Sequence, residues 1–262
     1  MFYAHPHSTQ NIDSQNIDSM TGLSQSVDSM RGLLSYQRGE QIYGDNDRSD
    51  HLYCLISGAA RKYALLADGR RRIIDFLLPG DFFGFRGPHR QFFAVEAVSK
   101  GTSVSRYPRP LLETTADADP RVGRKIRELA FQALWRSQAR LLILGRVTSI
   151  AKVGAFLMEM AQRSFDSRDQ TVVLPMSRYD IADYLALSVE TVSRALTELK
   201  RCHVIVFVGT HRLRLIDCGI LEKGFERRSS HKGATDAAQI RQTREDRRRW
   251  SDQGELPCPT QN

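Results

Sequence analysis

SRYDIADYLALSVETVSRALTELKR, running from Ser177 to Arg201, decides how the rest of the chain is read. Ser177 stands before an apolar run with Asp180 three residues on, which is a capping box with Asp in the place of Glu. Ile181, Tyr184 and Leu185 then share one face, and the pattern breaks at Ala186-Leu187. Ser188 offers a second N-cap, and Val192, Leu196 and Leu199 follow at spacings of four and three, so they point inward together. Two short capped helices separated by a few residues have the dimensions of a helix-turn-helix.

The outer face of the second helix keeps Glu190, Thr191, Ser193, Arg194, Thr197, Lys200 and Arg201. The early polar residues sit at the helix N-terminus, where a docked reading helix meets base edges. Arg194 can present a fork to guanine O6 and N7, Glu190 can accept from cytosine N4, and Ser193 serves either base type. Glu190 and Arg194 are also an i, i+4 pair, so an ordinary surface ion pair explains them equally well. Lys200 and Arg201 suit phosphates, or equally the negative end of the helix dipole. Val204 to Asp217 reads as two strands around Gly209-Thr210, a hairpin made basic by His211, Arg212 and Arg214. A hairpin placed directly after a reading helix is a wing.

Upstream, Ser149 to Ser164 reads as a helix and Thr171 to Leu174 as a short strand. Asp119-Pro120 suits the start of a longer helix, with Asp as N-cap and Pro in the first turn, running to about Val147. Val122, Ile126, Leu129 and Ala133 recur at spacings of four, three and four. This stripe weakens at Arg136 and Arg140 and resumes around Leu141 to Leu144. It either packs on its own domain or forms a two-fold dimer seam. From Gln37 to Arg106, β-rich runs (QIY, HLYCLISG, ARKYALLADG, RRIIDFLLPGD, AVEAVSKGTSVSR) alternate with Gly-containing turns, the pattern of a sandwich or roll. Asp68-Gly69 is a tight-hairpin signal.

The ends differ from the middle. Before about residue 30 the chain is polar and carries a duplication, SQNIDSMTGL followed by SQSVDSMRGL, too polar to bury a core. From 219 onward it is polar and mixed in charge, with the basic run RQTREDRRRW. Across 262 residues the net charge is +8, which favours a polyanionic partner. Cys54, Cys202, Cys218 and Cys258 are scattered, without zinc spacing or a disulfide framework. The expectation is a soluble cytoplasmic protein with no membrane span, no metal and no cofactor.

These strings together resemble the CRP/FNR superfamily of bacterial transcription factors, and its FixK branch in particular. LPMSRYDIADYLALSVETVSRALTELK and LADGRRRIIDFLLPGDFFGF carry the likeness, supported by YQRGEQIYGDND and LYCLISGAARKY; it spans roughly Leu34 to Asp217. The resemblance implies an α+β chain in three parts. They are a cyclic-nucleotide-binding-like β-roll (31–118), a dimerisation helix (119–147) carrying the Val122, Ile126, Leu129, Ala133 stripe, and a winged helix-turn-helix (148–218). Residues 1–30 and 219–262 are expected to be disordered. It further implies a homodimer that reads a palindrome of the TTGAT…ATCAA type on double-stranded DNA and activates through RNA polymerase. VETVSR matches the family's reading helix, so Val189, Glu190, Ser193 and Arg194 are expected at the bases. Ser177, Arg178, Ser188, Thr191, Thr197, Lys200, Arg201 and Arg212 are expected at the backbone.

Two departures from the family matter. PGDFFG continues into Phe85, Arg86, Gly87 and Pro88 without the acidic residue and the Arg-Ser/Thr pair that hold a cyclic nucleotide, so none is expected. No cysteine precedes Cys54, which excludes the clustered N-terminal iron–sulfur ligands of oxygen-sensing members. An alternative is a sensor gated by an unidentified small molecule, by haem on His51 or His89, or by oxidation of Cys202, which sits among Lys200, Arg201 and His203. An enzyme on the β-roll is the other class; it would need converging His and carboxylate ligands, and no HxH string occurs there.

Overall fold

Period-two alternation in the first half produces eight strands: β1 Gly32–Tyr36, β2 Gln41–Tyr43, β3 His51–Ser57, β4 Ala60–Leu65, β5 Arg71–Leu77, β6 Phe82–Phe83, β7 Ala94–Ala97 and β8 Thr102–Pro108. The computed structural model describes residues 32–222 apart from 46, 49 and 86–92. The decapeptide duplication, His89, most of the segment after PGDFFG, Cys258 and the basic tail lie outside the described residues. All described residues belong to one compact unit.

The strands form two antiparallel four-stranded sheets, ordered β1-β8-β3-β6 and β2-β7-β4-β5. Both sheets feed one interior: Tyr43, Leu55, Ala60, Leu77, Phe83, Val95 and Val104 pack together. Tyr53 and Phe83 stack with ring centroids 5.4 Å apart, and Tyr43 lies 5.3 Å from Tyr53. The β4–β5 hairpin closes at Asp68-Gly69 as expected, with Leu66 N–H donating to the Arg70 carbonyl at 2.8 Å and Gly69 at φ +77°. Gly58 is required twice over. Its φ is +80°, and a Cβ there would stand 2.8 Å from the Thr102 Cα.

The helical half begins earlier than its periodicity suggested. α1, Arg109–Ala118, follows β8 directly, with Pro in its first turn. α2, Pro120–Leu144, is capped by Asp119, whose carboxylate accepts from Arg121 N–H at 2.9 Å. It stops at Gly145, three residues short of the expected end. α3, Ser149–Ser164, is capped by Thr148. The remaining elements are β9 Phe165–Asp166, β10 Thr171–Val173, α4 Arg178–Leu185, α5 Val189–Arg201, β11 Ile205–Phe207, β12 Arg212–Leu215 and α6 Cys218–Glu222. A sheet ordered β11-β12-β10-β9 backs the helices. α6 carries the fold past the expected boundary at 218, burying Leu221 against Gly154 of α3.

The stripe expected to form the dimer seam is corrected. Val122 and Leu129 are buried within the chain beside Leu52, Cys54, Phe82, Tyr107 and Leu112, and Ile126 packs on the same cluster. Ala133 is half-buried one turn on. The weakening at Arg136 and Arg140 is that same inward stripe continuing with guanidiniums: Arg136 meets Asp75 and Asp81, and Arg140 donates to the Ile73 and Tyr184 carbonyls. The apolar residues that α2 leaves uncovered are Phe131, Leu134, Trp135, Leu141 and Leu142 on another face. A helix this long carries two stripes, and spacing alone does not say which one the β-roll takes.

Candidate nucleic-acid interface

The reading head rests on its caps. Ser177 Oγ accepts from Asp180 N–H at 3.2 Å, and Ser177 N–H donates back to Asp180 Oδ2 at 3.0 Å, completing the capping box. α4 ends at Ala186, which adopts a left-handed φ of 53°. Ser188 Oγ then accepts from Thr191 N–H at 3.1 Å and opens α5. Ile181, Ala182, Tyr184 and Leu185 from α4 and Val192, Ala195, Leu196 and Leu199 from α5 are all buried in one core. That burial fixes the rotation of α5, so the opposite face is turned outward.

On that outer face Glu190, Arg194, Thr197, Lys200 and Arg201 are exposed, while Val189, Thr191 and Ser193 are half-buried. Arg178 at the start of α4 reaches Ser193 Oγ at 3.4 Å, so the two helix N-termini present one continuous polar surface. Tyr179, 72% exposed beside Arg178, belongs to this surface too, and sequence reading passed over it because an aromatic in an amphipathic helix looks like core. Glu190 is held ionised: hydrogen bonding to its own backbone N–H and to Ser188 lowers its pKa, with Arg194 adding a smaller pull. An ionised carboxylate is an acceptor only, which is what a cytosine amino group requires.

The cations expected at phosphates divide. Lys200 is exposed in the last turn of α5. Arg201 is chelated by Glu198, with Nε at 2.9 Å and Nη2 at 2.7 Å from its carboxylate oxygens. Arg212 is tied to Asp166 at 3.1 Å and Asp169 at 2.8 Å, so it anchors the wing to the turn between β9 and β10. Glu198 lies three residues from Arg201, within reach of local spacing, whereas Asp166 is 46 residues from Arg212 and leaves no local sign. Cys202 is the C-cap of α5, exposed, with its thiol 3.9 Å from Glu198 Oε1.

The interior of the β-roll is closely packed. Among the described residues the buried polar or charged side chains are Thr102, Ser105, Thr171 and Asp180. The space between the sheets holds aromatic and aliphatic groups. The segment after PGDFFG, on which the expectation of no cyclic nucleotide rests, lies mostly outside the described residues. Among them, no group of three His, Cys, Asp or Glu could hold a metal ion, and no helix is long and apolar enough to cross a membrane.

Comparison with known proteins agrees with this layout. Residues 33–114 match the cyclic nucleotide-binding domain family and residues 151–223 the Crp-like helix-turn-helix domain family. The nitrogen fixation regulation protein FixK of Azorhizobium caulinodans is 40% identical over 191 residues, covering 72% of this chain and 77% of that protein. The transcriptional activatory protein AadR of Rhodopseudomonas palustris is 38% identical, covering 67% of this chain and 74% of its own. The solved structure of FixK2 from Bradyrhizobium japonicum superposes with a TM-score of 0.69 at 37% identity, covering 78% of this chain and 99% of that one.

Proposed function

The chain belongs to the CRP/FNR family of transcription regulators, of the FixK/FNR type with a helix-turn-helix DNA-binding domain, and from that premise we propose that it is a homodimeric activator reading a TTGAT…ATCAA-like palindrome without a cyclic nucleotide. The observation that carries this reading is the outer face of α5. Its buried side is fixed by Val192, Leu196 and Leu199, which leaves Glu190, Ser193 and Arg194 grouped at the exposed N-terminal end.

In the major groove the Arg194 guanidinium donates two parallel hydrogen bonds to guanine O6 and N7. Glu190 accepts from cytosine N4–H, Ser193 adds a hydroxyl, and Val189 supplies an apolar contact for a thymine methyl. Ser177, Arg178, Ser188, Thr191, Thr197 and Lys200 ring this group and meet the phosphates that set register. Arg201 and Arg212 join them only by exchanging their carboxylate partners for phosphate. A two-fold dimer places its two reading helices about one turn, ~34–36 Å, apart. The apolar face of α2 bearing Phe131, Leu134, Trp135, Leu141 and Leu142 is the seam for that dimer. Activation through contact with RNA polymerase draws support from relatives such as AadR, whose name records an activator.

A mobility-shift titration with a TTGAT…ATCAA duplex and a scrambled duplex tests the reading. Preference for the palindrome is expected, by at least a hundredfold at physiological salt. Equal affinity for the two duplexes refutes it.

A further inference from the structure

We propose that Arg61 and Arg71 of the β-roll are positioning residues for DNA reading: they grip Asp180 in the first helix of the helix-turn-helix and so hold each reading head at a set angle to the dimer. This rests on the dimeric, palindrome-reading function proposed above.

The grip is built on one carboxylate with two jobs. Asp180 Oδ2 serves its own helix, accepting from Ser177 N–H at 3.0 Å and Ser177 Oγ at 2.7 Å. Asp180 Oδ1 faces the roll, where it meets Arg61 Nη1 at 2.5 Å and Arg71 Nη2 at 3.3 Å. Glu96 on β7 holds the same two guanidiniums from behind, 2.7 Å from Arg61 and 3.9 Å from Arg71. The Asp180 side chain is 4% exposed and that of Arg61 12% exposed, so water does not stand in for either partner.

The next residues on the same face of α4 continue the contact. Asp183 Oδ2 accepts from Ile73 N–H at 3.2 Å, and Arg72 donates to the Asp183 carbonyl at 3.2 Å. Arg140 Nη2 bridges the Ile73 carbonyl at 2.7 Å and the Tyr184 carbonyl at 3.0 Å, with its guanidinium 4.6 Å from the Tyr184 ring centre. Residues 183 and 184 lie three and four positions on from 180, on one side of the helix, so α4 lies along β5 as along a rail. None of these contacts uses the outer face of α5. The grip therefore leaves Glu190, Arg194, Thr197 and Lys200 open to a groove.

Adhesion and direction come from different groups. Phe76 of the roll packs against Phe156 and Tyr184 with ring centroids 6.1 and 5.1 Å away, a non-directional apolar contact that holds the two parts together. The ions add little net adhesion, because burying charge offsets most of the Coulomb gain. Arg61 Nε and Arg140 Nε, moreover, are buried with no hydrogen-bond partner. What charge-assisted hydrogen bonds do supply is geometry, since a guanidinium–carboxylate contact tolerates little rotation. The covalent link between α2 and α3 is only the stretch from Gly145 to Thr148. Without the Asp180 contacts, each head keeps its apolar contact and its bonds at Asp183, Tyr184 and Arg163 but is held less tightly in angle, and apparent affinity for a two-headed site falls in proportion to the fraction of dimers with both heads aligned. If each head is aligned about a third of the time, binding weakens by roughly tenfold.

Full-length protein and the double variant Arg61→Gln, Arg71→Gln would be titrated on three duplexes by fluorescence anisotropy. One carries the palindrome, one a single half-site, and one the palindrome with a base pair added to its spacer. The double variant should lose about tenfold on the palindrome and less than twofold on the half-site. It should also discriminate less against the altered spacer, and Arg61→Lys, which keeps the charge but not the fork that bridges Asp180 and Glu96, should recover little of the loss. Equal losses on palindrome and half-site overturn the proposal, because the reading head itself would then be damaged. An unchanged or increased affinity for the palindrome overturns it as well. Amide hydrogen exchange at Ile73, whose N–H donates to Asp183 across the joint, separates this from a mistaken target: without DNA the variant should exchange at least tenfold faster at Ile73 while residues 178–185 keep their protection, and protection at Ile73 equal to that of the parent protein overturns the grip whatever sequence is read.

Discussion

Trp135 is 72% exposed in the single chain, midway along the uncovered face of α2. An indole side chain presents ~250 Å², so about 180 Å² is open and roughly 120 Å² is covered if a partner helix hides two thirds of it. At ~25 cal/mol per Å² that is about 3 kcal/mol for one copy. Two-fold symmetry counts it twice, giving a ceiling near 6 kcal/mol. Association recovers only part of buried area as affinity, because ordering the side chains opposes it. Half the ceiling, ~3 kcal/mol, is the working value for Trp135→Ala, and it corresponds to about two orders of magnitude in the dimer Kd. Sedimentation equilibrium over a wide concentration range measures that constant. The monomer fold should be unaffected beyond ~0.5 kcal/mol, since the side chain is on the surface. A dimer Kd within threefold of the parent protein would show that this face is not the seam and would refute the reasoning. The corresponding change at Val122, buried inside the chain, should instead lower the unfolding midpoint.

Arg194→Ala should cost ~1–3 kcal/mol per half-site and relax the preference at one base pair, whereas Lys200→Ala should weaken all sequences alike and reduce the salt slope by about one per site; competition binding at several salt concentrations separates them. Burial raises the Glu159 carboxyl above its ordinary 4.5, against the pull of Arg163. A raised carboxyl penalises the folded state at neutral pH, and the penalty disappears as pH falls below that ordinary value. Glu159→Gln should therefore be more resistant to urea than the parent at pH 7.5, with the difference shrinking toward pH 4; a difference that grows on acidification contradicts this. Ala186 carries its left-handed φ at a cost of about 1 kcal/mol, partly offset by the entropy a glycine would lose, so Ala186→Gly should stabilise by ~0.5 kcal/mol in thermal melts without altering DNA affinity.

Local information determined most of the elements and the identity of the reading face. The capping box at Ser177, the second cap at Ser188 and the spacing of Val192, Leu196 and Leu199 specify two helices and their inward sides within 25 residues of chain, because caps and helical periodicity act over one or two turns. The same holds for the Asp68-Gly69 hairpin and for the start of α2 at Asp119. Besides Tyr179 and α6, three things escaped. α1 has no N-terminal side-chain cap to announce it, and it follows a strand without a break. The two stripes of α2 were indistinguishable by spacing, and only the packing of Val122 and Leu129 against Leu52, Phe82 and Tyr107 assigned one to the interior. The partners of the arginines were invisible. Arg61 and Asp180 are 119 residues apart, and Arg163 and Asp81 are 82 apart, yet each pair is in hydrogen-bond contact. Charge has no periodicity to betray its partner over such distances. Burial is likewise a property of what the rest of the chain brings alongside, which is why the roles of Arg61, Arg72 and Arg140 between the roll and the reading head came only from the tertiary structure.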